Sequence, residues 1–228
     1  MAAPKVEPKI YTAVVLDFET GGLNCVDCAC TQLAMQAVRL DNWVVLERYA
    51  RYIAPYRKLD IGGAPKRKVL KTRQALVQED AGISMKYEPV ALTYSAITMD
   101  MLYNQGVDLK EVAQDVIEFG KRNTLSKGQQ CKPILIGQNI TFDIGFLQQL
   151  IAYAGLMPEF EKVFAGKVDF YGNFQPHYVD TIDLGRFAFA HLPDVTSYKL
   201  EILSERLGIE LDDAHDAGAD VTATLNVA

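Results

Sequence analysis

The residues of this chain that are best suited to chemistry are acidic, and the first two lie close together near its start. Asp17 and Glu19 come directly after the apolar run 13–16, which is typical of a buried strand. Residues two apart on a strand point to the same face, with Cα atoms roughly 6–7 Å apart. Carboxylates at that spacing can share two divalent metal ions, as in phosphodiester cleavage. Alone, an Asp-x-Glu pair is more often a solvated strand end.

The segment that follows this pair is rich in small residues. Thr20, Gly21, Gly22 and Leu23 come directly after Glu19. Because glycine has no side chain, it lets a ligand approach the backbone closely. The two glycines therefore favour a binding role for the neighbouring carboxylates.

Asp143 is a further candidate, between a predicted strand and a predicted helix. It falls in the first helical turn, where the helix dipole stabilises the charged carboxylate that a metal ligand must be. An aspartate at a helix start is usually only a cap, so this motif is weak by itself. Phe142 and Phe146 lie one helical turn apart, and we expect core packing for at least one of them.

The last candidates, His215 and Asp220, lie near the end of the chain. Five residues correspond to about 140° around an ideal helix, so the two cannot share one helical face. We therefore expect His215 at the mouth of a helix that carries Asp220. A histidine there, with a pKa near 6.5, suits a mobile general base. The other two histidines, His177 and His191, lack acidic neighbours of this kind and are assigned to structure.

The elements that must position these residues follow from hydrophobic periodicity. Three strands in a row, the last two joined tightly, predict an antiparallel meander at the start. Helices alternating with strands come afterwards, which indicates an α/β fold with a mixed sheet flanked by helices. We expect one domain over residues 1–228, with a basic loop or insertion at about 57–90. The predicted strands are 13–16, 32–40, 43–53, 134–136 and 177–180, and the predicted helices are 108–122, 142–154, 182–189, 200–207 and one from about 215.

The composition bounds the classes of protein that remain. The chain has 228 residues, of which 49% are hydrophobic, so a sizeable core can form without disulfides. The formal net charge of −6 argues mildly against nucleic acid, but metals held by carboxylates can still bind phosphate. No apolar run approaches a membrane span and no signal peptide is evident, so we expect a cytoplasmic protein that does not contact membranes.

Two other patterns allow more than one interpretation. Cys25, Cys28 and Cys30 suggest zinc, but the remaining cysteine is Cys131, about a hundred residues away, so ordinary loop or core cysteines are favoured. The segment 57–73 holds seven lysines and arginines; it is either a solvated loop or a source of phosphate contacts. Three tyrosines are open candidates for stacking on bases, and the sequence does not select among them. They are Tyr52, Tyr56 and Tyr94.

Taken together, the acidic motifs resemble those of the DEDDh family of 3′–5′ exonucleases. This family includes the proofreading subunit of bacterial replicative polymerase, ribonuclease T and oligoribonuclease. The resemblance spans residues 11–228 and rests on the segments 15–23, 137–147 and 215–220. The segments 179–184 and 197–200 also look like parts of the family's connecting regions.

The resemblance implies a ribonuclease H-like fold, two Mg²⁺ or Mn²⁺ ions and the release of nucleoside monophosphates. The metal ligands that it implies are Asp17, Glu19, Asp143 and Asp220, with His215 as general base. The residues that it implies at or near the terminal nucleotide are Thr20, Gly21, Gly22, Leu23, Asn139, Phe142 and Phe146.

Three positions depart from the family pattern, although none is a metal ligand. Gly21 stands where many members have threonine, Gln138 where many have histidine, and Gln32 where many have glutamate. Within the family we expect a nuclease acting on single-stranded DNA or frayed 3′ ends, with a DNA polymerase or a second copy as a possible partner. The alternatives are an exoribonuclease of the ribonuclease T or oligoribonuclease type, and a catalytically silent nucleic-acid-binding module.

Overall fold

The computed structural model describes residues 9–59, 83–125, 131–209 and 216–228. Seven strands form within these ranges, five of them in one sheet and two in a small hairpin. The strands are β1 (Thr12–Thr20), β2 (Cys30–Arg39), β3 (Val45–Tyr52), β4 (Ile134–Gly137), β5 (Gly166–Val168), β6 (Phe174–Pro176) and β7 (Tyr178–Asp180).

The five-stranded sheet has the order β3-β2-β1-β4-β7. β1, β2 and β3 are antiparallel neighbours, whereas β4 is parallel to both β1 and β7. This confirms the predicted meander and the predicted mixed sheet. The pairing of β1 with β4 ends at Val15 opposite Ile136, although β1 itself continues to Thr20 beside β2.

Eight helices lie within the described ranges, and the longer ones cover the two faces of the sheet. They are α1 (Pro89–Tyr94), α2 (Met99–Gln105), α3 (Leu109–Arg122), α4 (Ile140–Ala154), α5 (Met157–Val163), α6 (Thr181–Phe189), α7 (Leu200–Leu207) and α8 (Ala217–Val227). None of the helices in the described ranges is long and apolar enough to cross a membrane.

The two faces of the sheet carry hydrophobic clusters of different size. On one face, apolar side chains of β1 and β2 pack with α3, α4 and α5 in the larger core. On the other face a smaller cluster joins Ala13 and Val15 of β1 to Ala217 and Val221 of α8. Because successive residues of a strand face opposite sides, the odd-numbered residues of β1 point toward α8.

The structure extends the sequence prediction in three places. β1 runs through Asp17 and Glu19 instead of ending before them, because its pairing with β2 continues to Thr20. The short helices α1, α2 and α5 and the β5–β6 hairpin were not predicted. Of the predicted basic loop or insertion at 57–90, only residues 57–59 and 83–90 lie in the described part, and the last two of these begin α1.

Candidate active site

Three carboxylates meet at the end of β1. Asp17 and Glu19 share the face of β1 that α8 covers, and both are partly buried. Asp220 lies in the first turn of α8. One oxygen from each of the three side chains lies within 4.8 Å of the others. The structure thus brings together residues that are about two hundred positions apart in the sequence.

Asp143 joins this group from the other side of the sheet. It lies in the first turn of α4 and is only 3% exposed. Its Oδ1 accepts a hydrogen bond of 3.0 Å from the backbone N–H of Phe18, which lies between Asp17 and Glu19 in β1. The side chain of Asp143 is therefore tied directly to β1. We call Asp17, Glu19, Asp143 and Asp220 the carboxylate cluster.

The turn between β4 and α4 sets the position of Asp143. Asn139 precedes α4 with left-handed backbone geometry, at φ 54°, which asparagine tolerates better than most residues. Its backbone N–H donates a hydrogen bond of 3.0 Å to Oδ1 of Asp180. The same oxygen accepts from the N–H of Ile182 at 2.9 Å, so Asp180 also caps α6. One side chain thus ties β7, α6 and the start of α4 together.

The carboxylate cluster is electrostatically unfavourable by itself. Burial, followed by the charges of Asp220 and Asp216, raises the pKa of Asp17 to about 7. Burial is also the main reason why the pKa of Glu19 rises to about 8, with the charge of Asp17 next. The pKa of Asp143 is raised for the same two reasons. The cluster can be fully ionised near neutral pH only if positive charge is added.

Divalent cations of the hard type fit this donor set. Mg²⁺ and Mn²⁺ prefer oxygen ligands, and carboxylates are the usual protein source. Among the described residues, no other three His, Cys, Asp or Glu side chains bring their ligand atoms this close together. The cysteines at 25, 28 and 30 form no such group; Cys28 and Cys30 are buried and belong to the larger core.

A cleft of about 830 Å³ opens over the carboxylate cluster. All four members of the cluster line it. So do five of the seven residues expected near a terminal nucleotide, namely Thr20, Gly22, Leu23, Asn139 and Phe142. Leu23 is 85% exposed, so its side chain is available to a ligand.

The other two expected nucleotide contacts, Gly21 and Phe146, serve internal packing. A Cβ on Gly21 would lie 2.5 Å from the carbonyl oxygen of Lys86, so glycine is required where two backbone segments meet. Phe146 is fully buried, and its ring packs against Phe142 with 5.0 Å between centroids. Phe142 therefore faces the cleft and Phe146 the core.

Tyr94 is the one of the three candidate tyrosines that lines the cleft. It is 63% exposed, and its pKa is raised by burial first and then by the charges of Glu201 and Glu19. Tyr56, in contrast, donates its hydroxyl to Oε1 of Gln149 at 2.6 Å inside the protein. Tyr94 could not be distinguished from Tyr52 and Tyr56 by sequence alone, because the helix that carries it, α1, buries no residue fully and so has no apolar pattern to predict it.

Several other residues that line the cleft were not predicted. Lys199 is the one basic side chain among the described residues that line it, and it precedes α7. Its segment, 197–200, was noted only as a connecting region. Glu88, Val90, Ile182 and Glu201 also line the cleft. The two extra carboxylates, Glu88 and Glu201, make the cleft more acidic than the carboxylate cluster alone would.

Two predicted features lie outside the described residues. The general base His215 falls in the range 210–215, and most of the basic segment falls in the range 60–82. The residues next to these ranges are described. Asp216 caps α8 directly after His215, and Lys58 pairs with Asp27 at 2.5 Å just before the second range.

A sequence profile of the family described as exonuclease matches residues 83–228. Among curated proteins, the PolC-type DNA polymerase III of Bacillus subtilis (strain 168) is 28% identical over 213 residues, which is 93% of this chain and 11% of that protein. The corresponding polymerase of Oceanobacillus iheyensis is 25% identical over the same length. The chain thus spans about a tenth of the length of these relatives.

Solved structures of E. coli Exonuclease I share the fold. The complex of that enzyme with a dT13 oligonucleotide has a TM-score of 0.64 at 20% identity, covering 95% of this chain and 40% of the other. Its complex with SSB-Ct has a TM-score of 0.63 at 19% identity, with coverages of 96% and 40%. This likeness confirms the expected ribonuclease H-like arrangement of sheet and helices.

Proposed function

This chain belongs to the exonuclease family, and on that premise we propose that it removes nucleotides from the 3′ end of DNA with the help of divalent metal ions. The observation that carries the proposal is the meeting of Asp17, Glu19 and Asp220 at the floor of a cleft, with Asp143 behind them. A buried group of mutually repelling carboxylates lowers the stability of the metal-free protein. Perturbed groups of this kind in a cleft are typical of functional sites.

The carboxylate cluster would hold two Mg²⁺ or Mn²⁺ ions. When bound, such a pair supplies activation of a water molecule and stabilisation of the leaving 3′ oxygen. The chain itself supplies rigid placement of the ligands. Asp17 and Glu19 lie on a strand inside the sheet, and Asp143 and Asp220 lie in the first turns of two helices. Helix starts favour the charged form of both carboxylates.

His215 is the proposed general base. Its imidazole accepts a proton from the attacking water, and the near-neutral pKa of histidine suits this transfer. It directly precedes Asp216, the residue that caps α8. The helix that carries Asp220 therefore begins next to the base, and one local element can place both groups.

The walls of the cleft support recognition of a nucleotide by stacking and by one positive charge. Leu23, Phe142 and Tyr94 present apolar or aromatic surface. Stacking of a base on an aromatic side chain contributes about 1–3 kcal/mol and depends little on the base. Lys199 can contact a phosphate group. Stacking of this kind suits an enzyme that must accept every nucleotide in turn.

DNA is the proposed substrate class, as single strands or frayed 3′ ends. The curated relatives are DNA polymerases, and a structure with the same fold was solved with a dT13 oligonucleotide. These similarities support DNA over RNA. They also support a role beside a DNA polymerase, where a nuclease of this type would remove a mispaired terminal nucleotide.

The test is parallel digestion of end-labelled single-stranded DNA, single-stranded RNA of the same sequence, and duplex DNA with a paired or a mispaired 3′ end. We expect mononucleotides from DNA with Mg²⁺ or Mn²⁺, faster release at the mispaired end, and none with chelator. Faster digestion of RNA would favour an exoribonuclease. Binding of DNA without cleavage at any metal concentration would favour a silent binding module.

A further inference from the structure

One buried side chain connects β2, which carries no metal ligand, to the start of the helix that carries Asp220. Gln32 lies directly opposite Glu19 in the β1–β2 pairing and is 6% exposed. Its Nε2 donates a hydrogen bond of 3.1 Å to Oδ1 of Asp216. Its Oε1 accepts one of 3.4 Å from the backbone N–H of Ala217. Both ends of the amide are thus used at the start of α8.

Asp216 in turn accepts two hydrogen bonds from the backbone of the first turn of α8. Its Oδ2 accepts a hydrogen bond of 3.2 Å from the N–H of Ala219, which caps α8. Its backbone carbonyl accepts from the N–H of Asp220 at 3.0 Å. Asp220 therefore lies one turn from the residue that Gln32 holds, and a displacement of Asp216 would displace Asp220 with it.

We propose that Gln32 is a positioning residue for the metal site, which acts through Asp216 to hold Asp220 against Asp17 and Glu19. This inference rests on the proposed metal-dependent function. Residues that orient metal ligands without touching the metal typically change affinity or activity by roughly 10–100-fold when they are lost.

Gln32 has an amide N–H group that can donate a hydrogen bond, and the carboxylate of Asp216 can only accept one, so the two side chains are complementary. A glutamate at position 32 could not donate a hydrogen bond to Asp216. It would also add a negative charge directly opposite Glu19 in the β1–β2 pairing. The double variant Q32E/D216N exchanges the amide and the carboxylate between the two positions. The amide at position 216 can then donate a hydrogen bond to the carboxylate at position 32. The net charge of the pair stays the same.

The same strand provides a matched control. Gln36 lies four residues along β2, is 4% exposed, and donates a hydrogen bond of 2.6 Å from its Nε2 to Oγ1 of Thr222 on α8. Gln36→Leu therefore also removes a contact between β2 and α8, but it leaves the capping residue of the helix untouched. A purely structural role for Gln32 predicts equal behaviour of the two leucine variants.

The experiment measures Mn²⁺ binding by calorimetry, the Tm in chelator, and the kcat and KM for single-stranded DNA. We expect Gln32→Leu and Gln36→Leu to lower the Tm alike. Only Gln32→Leu should raise the Kd for Mn²⁺ and lower kcat, each by about tenfold, with little change in KM. Gln32→Glu should also weaken Mn²⁺ binding, and adding Asp216→Asn should restore the Kd to within about threefold of the wild type if the pair is coupled.

Two results would overturn the inference. One is an equal change in Mn²⁺ affinity for Gln32→Leu and Gln36→Leu. The other is a double variant that binds Mn²⁺ no better than Gln32→Glu alone. Failure of the proposed function is distinguishable, because a wild-type chain that binds no Mn²⁺ and degrades no DNA would overturn both proposals. If the wild type binds Mn²⁺ and degrades DNA, either of the two variant results overturns only the positioning role of Gln32.

Discussion

Two helices deliver one carboxylate each to the same strand, and they are held there in different ways. Asp143 of α4 is almost fully buried and makes its own hydrogen bond to the Phe18 amide. Asp220 of α8 is only partly buried, and its helix is held through Asp216 and Gln32. Asp143 is thus tied directly to β1, whereas the start of the helix that carries Asp220 is tied to β2 through Asp216 and Gln32.

The starts of the two helices also differ in the amount of apolar packing that supports them. The start of α4 is anchored in the larger core, where Ile140 and Phe146 are fully buried. The start of α8 rests on the smaller cluster, mainly through Ala217 and Val221. Because small side chains bury less apolar area, α8 gains less from packing. We therefore expect changes at α4 to affect folding first, and changes at α8 to affect metal binding first.

The largest expected effect comes from Asp17, which both helix-borne carboxylates face. Asp17→Asn should reduce cleavage by at least about 10⁴-fold, since the bound metals stabilise the transition state by several kcal/mol. The metal-free variant should be at least as stable as the wild type, because one repelling charge is gone. Digestion of labelled DNA and thermal unfolding in chelator measure the two effects. A control, Glu159→Gln in the first turn of α5, should change neither. Wild-type cleavage by Asp17→Asn would exclude the two-metal proposal.

The next effect concerns the base that precedes α8. His215→Ala should keep Mn²⁺ affinity close to wild type and slow cleavage by roughly 10²–10⁴-fold, the usual contribution of a general base. The wild-type rate should rise with pH through the titration of the histidine, and the variant should lose that step. Loss of Mn²⁺ binding in the variant would instead identify His215 as a metal ligand.

A smaller effect is expected at the start of α4, where a change should lower stability and leave metal binding unchanged. Asn139 has φ 54°, a conformation that costs most residues roughly 1–2 kcal/mol. Asn139→Ala should lower the free energy of unfolding by about 1 kcal/mol, whereas Asn139→Gly, which adopts this conformation freely, should change it less. Urea denaturation of both variants measures the difference. If Asn139→Ala weakened Mn²⁺ binding without a loss of stability, the proposed contrast between α4 and α8 would be wrong.

The last effect is the pH dependence of the metal-free protein. The folded pKa of Asp17 is about 7 and that of Glu19 about 8, against ordinary values of 3.8 and 4.5. Between pH 4 and pH 8 the folded chain therefore holds protons that the unfolded chain has released, so its stability falls as the pH rises. In chelator we expect the Tm to fall steadily as the pH rises from 5 to 8, because each kcal/mol of stability lost lowers the Tm by roughly 2–4 °C. Asp17→Asn should reduce the change of Tm with pH. An equal change of Tm with pH in the variant and the wild type would contradict the raised pKa of Asp17.

The fold could be predicted from the sequence where apolar residues repeat regularly. α3 and α4 bury many residues at helical spacing, and both were predicted within a few residues of their observed bounds. α1 buries none fully and was missed. The end of β1 was missed for a different reason: aspartate and glutamate are depleted in strands. Asp17 and Glu19 lie in a strand because the sheet continues there, and their own preferences would not place them in one.

For the site, the sequence predicted which acidic residues come together but not the contacts that position them. The acidic motifs marked Asp17, Glu19, Asp143 and Asp220, since their order along the chain resembles a known pattern. Contacts that depend on distant parts of the chain left no local signal. Gln32 and Asp216 are 184 positions apart, so their pairing could not be read from either segment. The place of Tyr94 in the cleft likewise depends on how α1 packs.

The early end of the β1–β4 pairing has a consequence for how this architecture can evolve. The pairing of β1 with β4 stops at Val15 while β1 runs on to Thr20 beside β2, which leaves a seam in the middle of the sheet. Through this seam Asp143, from a helix on one face, reaches carboxylates on the other. Open sheets commonly bind ligands in such crevices, where neighbouring strands diverge. Because the crevice follows from the divergence of β1 and β4, it does not depend on the carboxylates themselves. On the proposed function, a descendant without the carboxylates would still have a place to hold a nucleotide.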